Sequence, residues 1–219
     1  MFYFFCQKIS YIFLTFFRIF KYLLSDTKRY ANLLFIILAH KPKSIVEIGI
    51  YRGTRSKEMI QAAKIFNKDI EFYGFDLFEM INQKILKREL SKFPNSKKNV
   101  EKDLSKISKV KLFKGYSFKT LPKIKNKKID FIFIDGGHAV ETIKKDWQNC
   151  KILIKKGSIV IFDDYYIGDN KIINKYGCNK IIKSISKKFF EKKLCKFTDN
   201  FMNNGKKLRI KMFYLKKIN

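Results

Sequence analysis

A chain of 219 residues has the size of one α/β domain, and its 46% apolar residues, with 23 Phe and 11 Tyr, exclude a disordered or fibrous protein. The net charge of +29 would attract a polyanion, but only six of the 48 basic residues are Arg, the side chain that binds phosphates and guanines with two hydrogen bonds. This lysine bias argues against nucleic acid as a partner. Four widely spaced cysteines exclude a disulfide framework and a CxxC zinc pair, and they predict a reducing, cytoplasmic location.

The first 24 residues are almost wholly apolar and aromatic. On a helix their few polar side chains would form one narrow stripe: Lys8, Tyr11, Thr15, Arg18 and Tyr22. Only nine residues separate Lys8 from Arg18, against the roughly 20 apolar residues that cross a bilayer, so no transmembrane helix is expected. Two interpretations stay open: the helix packs on the domain or on a second subunit of a homo-oligomer, or it lies at the inner face of a membrane. With a second helix at residues 26–40, it makes an N-terminal amphipathic helical segment, residues 1–40.

The core domain, residues 41–219, begins at the Lys41-Pro42-Lys43 turn. Short β-branched and aromatic runs predict seven strands, at residues 44–48, 70–75, 110–114, 129–134, 158–162, 194–197 and 208–215. Helical patterns lie at residues 54–66, with Thr54 as the cap, at 78–107 with an interruption near Pro94, at 140–153 and at 179–190. Asn203-Asn204-Gly205 predicts a closing hairpin. The alternation predicts an α/β, Rossmann-like doubly wound fold, with a mostly parallel seven-stranded sheet, a C-terminal antiparallel hairpin and added N-terminal helices.

Carboxylates follow several of these strands, although acidic residues are few. Glu47 lies within the first strand, and four Asp residues end later strands: Asp76, Asp135, Asp163 and Asp164. Ligands of open parallel sheets bind beyond the carboxyl ends of the strands. Each acid alone could simply cap the next helix, but the set predicts a cationic or hydroxyl-bearing ligand.

A glycine turn links the first strand to its helix, and Gly49 and Gly53 let the backbone approach a ligand closely. The turn lacks the GxGxxG spacing of dinucleotide-binding proteins, which argues against NAD. Asp76, at the end of the second strand, is placed to accept two hydrogen bonds from a ribose diol.

Five segments together resemble the class I S-adenosylmethionine-dependent methyltransferases, in particular the branch of macrocin O-methyltransferase and its bacterial relatives. They are VEIGIYRG from Val46, YGFDLFE from Tyr73, GYS from Gly115 with the following Leu121-Pro122, FIDGGH from Phe133 and VIFDDY from Val160. The resemblance covers the chain from about Lys41 onward. It predicts a methyl transfer in which the protein aligns an acceptor with an activated donor, so no catalytic triad is needed.

The resemblance implies roles for individual residues. Those bordering the cofactor would be Glu47, Gly49 and Gly53 at the methionine part, Asp76 at the ribose, Gly115, Tyr116 and Ser117 at the adenine, and in addition Tyr51, Leu77 and Asp135. Tyr51 stands where the family often has a glycine, a departure that affects the shape of the loop.

Asp135, Asp163 and Asp164 end neighbouring predicted strands, so they are expected to hold one hard cation such as Mg2+. Such a cation would bind the acceptor and favour its ionised hydroxyl. His138 is the predicted general base, because imidazole titrates near neutral pH, and Asp135 is the second predicted catalytic residue.

The predicted function is therefore methylation of a hydroxyl on a small molecule or sugar, with S-adenosylmethionine and Mg2+. Two alternatives stay open: a metal-independent O- or N-methyltransferase, and a non-catalytic adaptor with the same fold.

Overall fold

The computed structural model describes residues 2–168, 170–203 and 206–219. Within them one sheet contains seven strands: β1 (Ser44–Ile48), β2 (Glu71–Asp76), β3 (Lys109–Lys114), β4 (Ile129–Ile134), β5 (Ile154–Ile167), β6 (Phe190–Asn203) and β7 (Lys206–Lys217). Their order is β3-β2-β1-β4-β5-β7-β6. The first five are parallel, and β7 runs antiparallel between β5 and β6. The predicted fold class is confirmed.

Nine α-helices lie in the described part of the chain: α1 (Phe2–Leu23), α2 (Arg29–His40), α3 (Thr54–Lys64), α4 (Gln83–Glu89), α5 (Lys97–Ser105), α6 (Ser117–Thr120), α7 (Val140–Cys150), α8 (Asn170–Lys175) and α9 (Asn179–Ser184). They cover both faces of the sheet. One apolar cluster joins α2 and α3 to one face, and a second joins α7 and α9 to the other. Because both faces are covered, β1 is buried at every position, as its β-branched run predicts.

Strand order reverses between β1 and β4, so the connections from these two strands leave in opposite directions. A crevice forms at such a switch point, beyond the carboxyl ends of the strands. Glu47 and Gly49 therefore come to lie near Asp135, although more than eighty residues separate them in the chain.

Several predicted boundaries were wrong. The predicted last helix ends at Ser184 instead of residue 190, whereas the 78–107 segment forms two helices, α4 and α5, on either side of Pro94, as the predicted interruption indicated. The N-cap of α3 is Gly53, at φ 76°, and not Thr54. Helix α8 was not predicted. Asn204 and Gly205 of the predicted turn lie outside the described residues, while β6 and β7 pair antiparallel as expected.

The largest error concerns β5, which extends to Ile167 instead of ending at residue 162. Asp163 and Asp164 lie inside it, at a bulge where these two residues face Met212 alone on β7. Asp164 has φ +57°, in the left-handed region, so the bulge sends the two neighbouring carboxylates to different partners.

Helix α1 packs through its polar stripe. Tyr11, Thr15 and Tyr22 are buried, whereas phenylalanines on the opposite side are exposed. The polarity of this amphipathic helix is thus the reverse of the usual arrangement on a protein surface. No helix in the described ranges has the length and apolar character to cross a bilayer.

Candidate active site

A pocket of about 780 Å³ lies at the carboxyl ends of β1, β2, β3 and β4. Its lining includes all of the predicted cofactor residues except Gly53: Glu47, Gly49, Tyr51, Asp76, Leu77, Gly115, Tyr116, Ser117 and Asp135. We call the part formed by Glu47, Gly49, Asp76 and Ser117 the cofactor end. The acidic end comprises Asp135, His138, Asp163 and Asp164. Of these four, Asp135 and His138 line the pocket.

At the cofactor end the glycine loop touches the end of β4. Gly49 donates its N–H to Phe75 O at 2.9 Å, and Asp135 donates its N–H to Ile48 O at 2.8 Å. A Cβ atom on Gly49 would lie 1.9 Å from Asp135 O, and the residue has φ +91°. Both facts require glycine here. Tyr51 takes a left-handed conformation too, at φ +54°, so this loop keeps a positive φ without the family's usual glycine.

The carboxylate of Asp76 organises the same loop. Its Oδ2 accepts the N–H groups of Ile50 and Tyr51 at 2.7 and 2.9 Å, and its Oδ1 accepts that of Phe78 at 2.9 Å. Because a carboxylate has about four acceptor positions, three bonds leave room for one more. Asp76 is therefore a loop anchor with some remaining capacity for a ribose hydroxyl.

Glu47 is fully buried in β1. Ser56 donates to its Oε2, whereas its Oε1 has no hydrogen-bond partner among the described residues. Burial raises the pKa of this carboxyl well above its ordinary value, although the Ser56 bond opposes the shift. A buried polar atom without a partner is costly, so Oε1 fits a ligand that donates a hydrogen bond or carries positive charge.

Ser117 begins α6 and donates a hydrogen bond to Asp146 of α7. Burial raises the pKa of Asp146 to about 7, and the Ser117 bond opposes the shift. Nothing in the sequence pattern singled out Asp146, which looks like an ordinary polar position on a helix. Next to Ser117, Tyr116 stacks on Phe118 with ring centroids 5.4 Å apart.

At the acidic end, Asp135, His138 and Asp164 come together, with one candidate ligand atom from each lying within 4.8 Å of the others. His138 Nε2 lies 3.0 Å from Asp164 Oδ2, and His138 Nδ1 lies 2.5 Å from Glu89 O. A carbonyl partner fixes the hydrogen on Nδ1, so Nε2 is directed to the carboxylates. No hydrogen bond among the described residues engages the Asp135 side chain.

The charge state of His138 differs from that of a free imidazole. Burial would lower its pKa, but Asp164 and then Asp135 outweigh burial and raise the pKa to about 10. Burial would raise the pKa of Asp164, yet His138 and Arg29 lower it. An imidazolium paired with Asp164 cannot accept a proton, which is the opposite of what the predicted general base requires.

Asp163 is separated from this cluster, because Arg29 of α2 binds it. Arg29 Nε and Nη2 donate to the two carboxylate oxygens of Asp163 at 2.8 and 3.0 Å. The same guanidinium donates to Asp199 of β6, whose Oδ1 also accepts the Arg29 backbone N–H at 2.8 Å. The predicted set of three aspartates is therefore not assembled: His138 takes the place expected for Asp163.

Glu89, at the end of α4, holds the His138 loop and was missed by the sequence analysis. Its buried carboxylate accepts the Ala139 N–H at 3.1 Å and the Thr142 hydroxyl at 2.8 Å. A Cβ on Gly137 would lie 2.4 Å from Glu89 Oε2, so the loop fits closely around this side chain. This role is visible only in the folded chain, where the Glu89 carbonyl oxygen contacts His138 Nδ1 across 49 residues of sequence.

The acidic end fits a divalent cation by charge and by donor type. Burial, together with Asp163 and Asp164, raises the pKa of Asp135 well above its ordinary value, and a bound cation would offset this cost of its ionised form. A carbonyl bonded to Nδ1 is the usual outer support of a metal-binding histidine. One imidazole nitrogen with two carboxylates suits Mn2+ as well as the predicted Mg2+.

Residues 46–165, more than half of the chain, match the model of a protein family described as a methyltransferase domain. The chain is also similar to a relative named uncharacterized protein R132, from Acanthamoeba polyphaga mimivirus. The two are 32% identical over 125 residues, which is 55% of this chain and 50% of that protein. The chain thus matches about half the length of this relative.

Solved structures of low sequence identity share the fold. The O-methyltransferase TomG of Streptomyces achromogenes, in complex with SAM, has a TM-score of 0.56 at 11% identity, over 86% of this chain and 79% of TomG. An O-methyltransferase of Bacillus cereus in complex with SAH has a TM-score of 0.53 at 14% identity, over 97% and 91% of the two chains. An rRNA methylase of Streptococcus thermophilus has a TM-score of 0.55 at 14% identity, over 85% and 96%.

Proposed function

This chain belongs to the methyltransferase-domain family, with the fold of class I methyltransferases, and we propose that it transfers a methyl group from S-adenosylmethionine to a hydroxyl of a small molecule or sugar. One observation carries the proposal: a single pocket joins a buried, incompletely bonded Glu47 at one end to a cluster of carboxylates at the other.

At the cofactor end, Glu47 Oε1 would accept the ammonium group of the methionine part, which supplies the missing partner. The last acceptor position of Asp76 would take a ribose hydroxyl, and Ser117 with Asp146 would border the adenine. The bound cofactor would supply a methyl group already activated on a sulfonium.

At the acidic end, Asp135, His138 and Asp164 would hold a divalent cation, whose positive charge would favour the ionised form of the acceptor hydroxyl. His138 Nε2 would be a ligand with the cation present, and it is paired with Asp164 without it. Nε2 is engaged in both states, so we assign acceptance of the hydroxyl proton to the carboxylate oxygen of Asp135 that would not hold the cation. Its carboxylate would take the proton as the oxygen–methyl bond forms and the methyl–sulfur bond breaks.

The basic residues of the chain also favour a small hydroxylic acceptor over nucleic acid, because only six of the 48 are Arg. The rRNA methylase likeness is a likeness of fold.

Calorimetric titration of S-adenosylmethionine tests the cofactor end. We expect saturable binding by the parent protein and at least tenfold weaker binding by Asp76→Asn. Asp130→Asn is the matched control, because Asp130 Oδ2 likewise accepts two backbone N–H groups, from Lys43 and Ser44, but at the opposite end of the sheet. Absence of binding by the parent protein would refute the proposal and favour the adaptor alternative.

Binding of Mn2+, followed by electron paramagnetic resonance, tests the acidic end. We expect one bound ion per chain, lost in Asp164→Asn and kept in Asp103→Asn, which removes an exposed carboxylate elsewhere. If the parent protein binds S-adenosylmethionine but no metal, the cation part is wrong and the metal-independent alternative takes its place.

A further inference from the structure

The exposed side of α1 is an apolar surface that the proposed methyl transfer does not use. We define its outer face as five side chains that are each more than half exposed, four in α1 and Leu24 directly after it: Phe13 at 73%, Phe16 at 56%, Phe17 at 66%, Phe20 at 61% and Leu24 at 72%. They follow helical spacing and form one continuous stripe. Monomeric proteins rarely leave an apolar patch of this kind in water, so a partner is expected to cover it.

The opposite side of the helix fixes this orientation. The Tyr22 hydroxyl donates to the carboxylate of Glu58 in α3, at 2.9 and 2.7 Å. Arg55 donates to the same carboxylate at 2.7 Å, and Arg18 lies 3.9 Å from it. Because these buried polar contacts lie on the inner side, rolling the helix to bury its phenylalanines would break them.

Charge decides between the two occupants that could cover the outer face. A second copy of this chain would bring two molecules of net charge +29 together, and they would repel each other. A bilayer containing anionic lipids would attract the same charge. In α1 and the turn that follows it, Lys21 and Lys28 are exposed and Asp26 is the sole acidic residue.

We propose that the outer face of α1 lies in the interface of an anionic membrane, with the helix parallel to the surface. Helix α1 has 22 residues and does not have the character of a spanning segment, which suits an interfacial helix. Thr27 and Arg29, which follow it, line the pocket, so docking would hold the pocket beside the lipid surface.

Flotation of the full chain with vesicles tests the proposal. We expect binding to vesicles of phosphatidylcholine with phosphatidylglycerol, and at least tenfold weaker binding to phosphatidylcholine alone. Phe13→Ser/Phe17→Ser should reduce binding to the anionic vesicles at least tenfold. The matched control, Phe66→Ser/Phe189→Ser, removes two phenylalanines that are 41% and 44% exposed outside α1, and it should bind like the parent.

Thermal unfolding of both double variants verifies that they fold, and sedimentation velocity gives the oligomeric state. Absence of flotation by the parent protein would overturn the proposal. So would equal binding by the two double variants, since charge alone would then explain the attraction. A dimer that Phe13→Ser/Phe17→Ser dissociates, without vesicle binding by the parent, would identify a second copy as the occupant instead.

Discussion

The two ends of the pocket are built in different ways. At the cofactor end, the carboxylate of Asp76 is bound by backbone N–H groups of a loop about 25 residues away. At the acidic end, Asp163 is bound by Arg29, 134 residues away, and His138 by Glu89, 49 residues away. The first end is stabilised by local backbone geometry and the second by a balance of buried charges. Substitutions should therefore affect the two ends by different physical routes.

The largest effect is expected where the two ends touch, at Gly49. Gly49→Ala would place a Cβ 1.9 Å from Asp135 O, so the loop or β4 must move. We expect the free energy of unfolding to fall by more than about 4 kcal/mol, measured by urea denaturation. Gly157→Ala is the control: its φ is +86°, but no atom lies within 4 Å of the added Cβ, so a loss of about 1 kcal/mol is expected. Equal losses would show that the contact between the ends is unimportant.

Arg29→Met should affect the acidic end and leave the cofactor end intact. It removes the guanidinium that Asp163 of the acidic end shares with Asp199. Two buried carboxylates would lose their partner, and we expect a destabilisation of about 3 kcal/mol by urea denaturation. Adding Asp163→Asn should recover part of the loss. Arg209→Met, at an exposed position, should change stability by less than about 0.5 kcal/mol. A small effect of Arg29→Met would mean that charge balance does not stabilise this end.

Glu89→Ala should weaken the acidic end without loss of the cofactor end. The His138 loop would lose its two bonds to the Glu89 carboxylate, and supports of this kind change metal affinity by about tenfold or more. Titrations of Mn2+ and of S-adenosylmethionine measure the two ends separately. Glu141→Ala, an exposed change in the first turn of α7, serves as the control. If Glu89→Ala weakened the binding of Mn2+ and of S-adenosylmethionine equally, the two ends of the pocket would not be independent.

The last test asks how the stability of the cofactor end responds to pH. The pKa of Asp146 is about 7 in the folded protein, against about 3.9 in an unfolded chain. Between these values the folded state holds a proton that the unfolded chain has lost, so rising pH destabilises the fold through this group. Asp146→Asn removes the effect. From about pH 5 to about pH 8, the Tm of the variant relative to the parent should rise by roughly 6 °C, measured by calorimetry. A constant difference in Tm would contradict the raised pKa.

The same contrast explains which parts of the site could be predicted from the sequence. Glycine, strand and carboxylate fall within a few residues of one another at the cofactor end, so the positions of Gly49 and Asp76 followed from local patterns. The partners of Asp163 did not, because a bulge inside β5 turns its carboxylate toward Arg29. No pattern near Asp163 indicates that its partner is Arg29, a residue far away in the sequence. Glu89 and Asp146 were missed for the same reason, because their partners are also distant in the chain.

Arg29 also has a consequence for the order in which the molecule is made. Its helix is synthesised well before Asp199, which follows 170 residues later in the chain. Until β6 is complete, the guanidinium lacks one of its two partners, and contacts of such long range form slowly. The phenylalanines of α1 are therefore synthesised before Arg29 has both of its partners. Under the proposed membrane docking, a nascent chain would meet the lipid surface before this buried ion pair is complete.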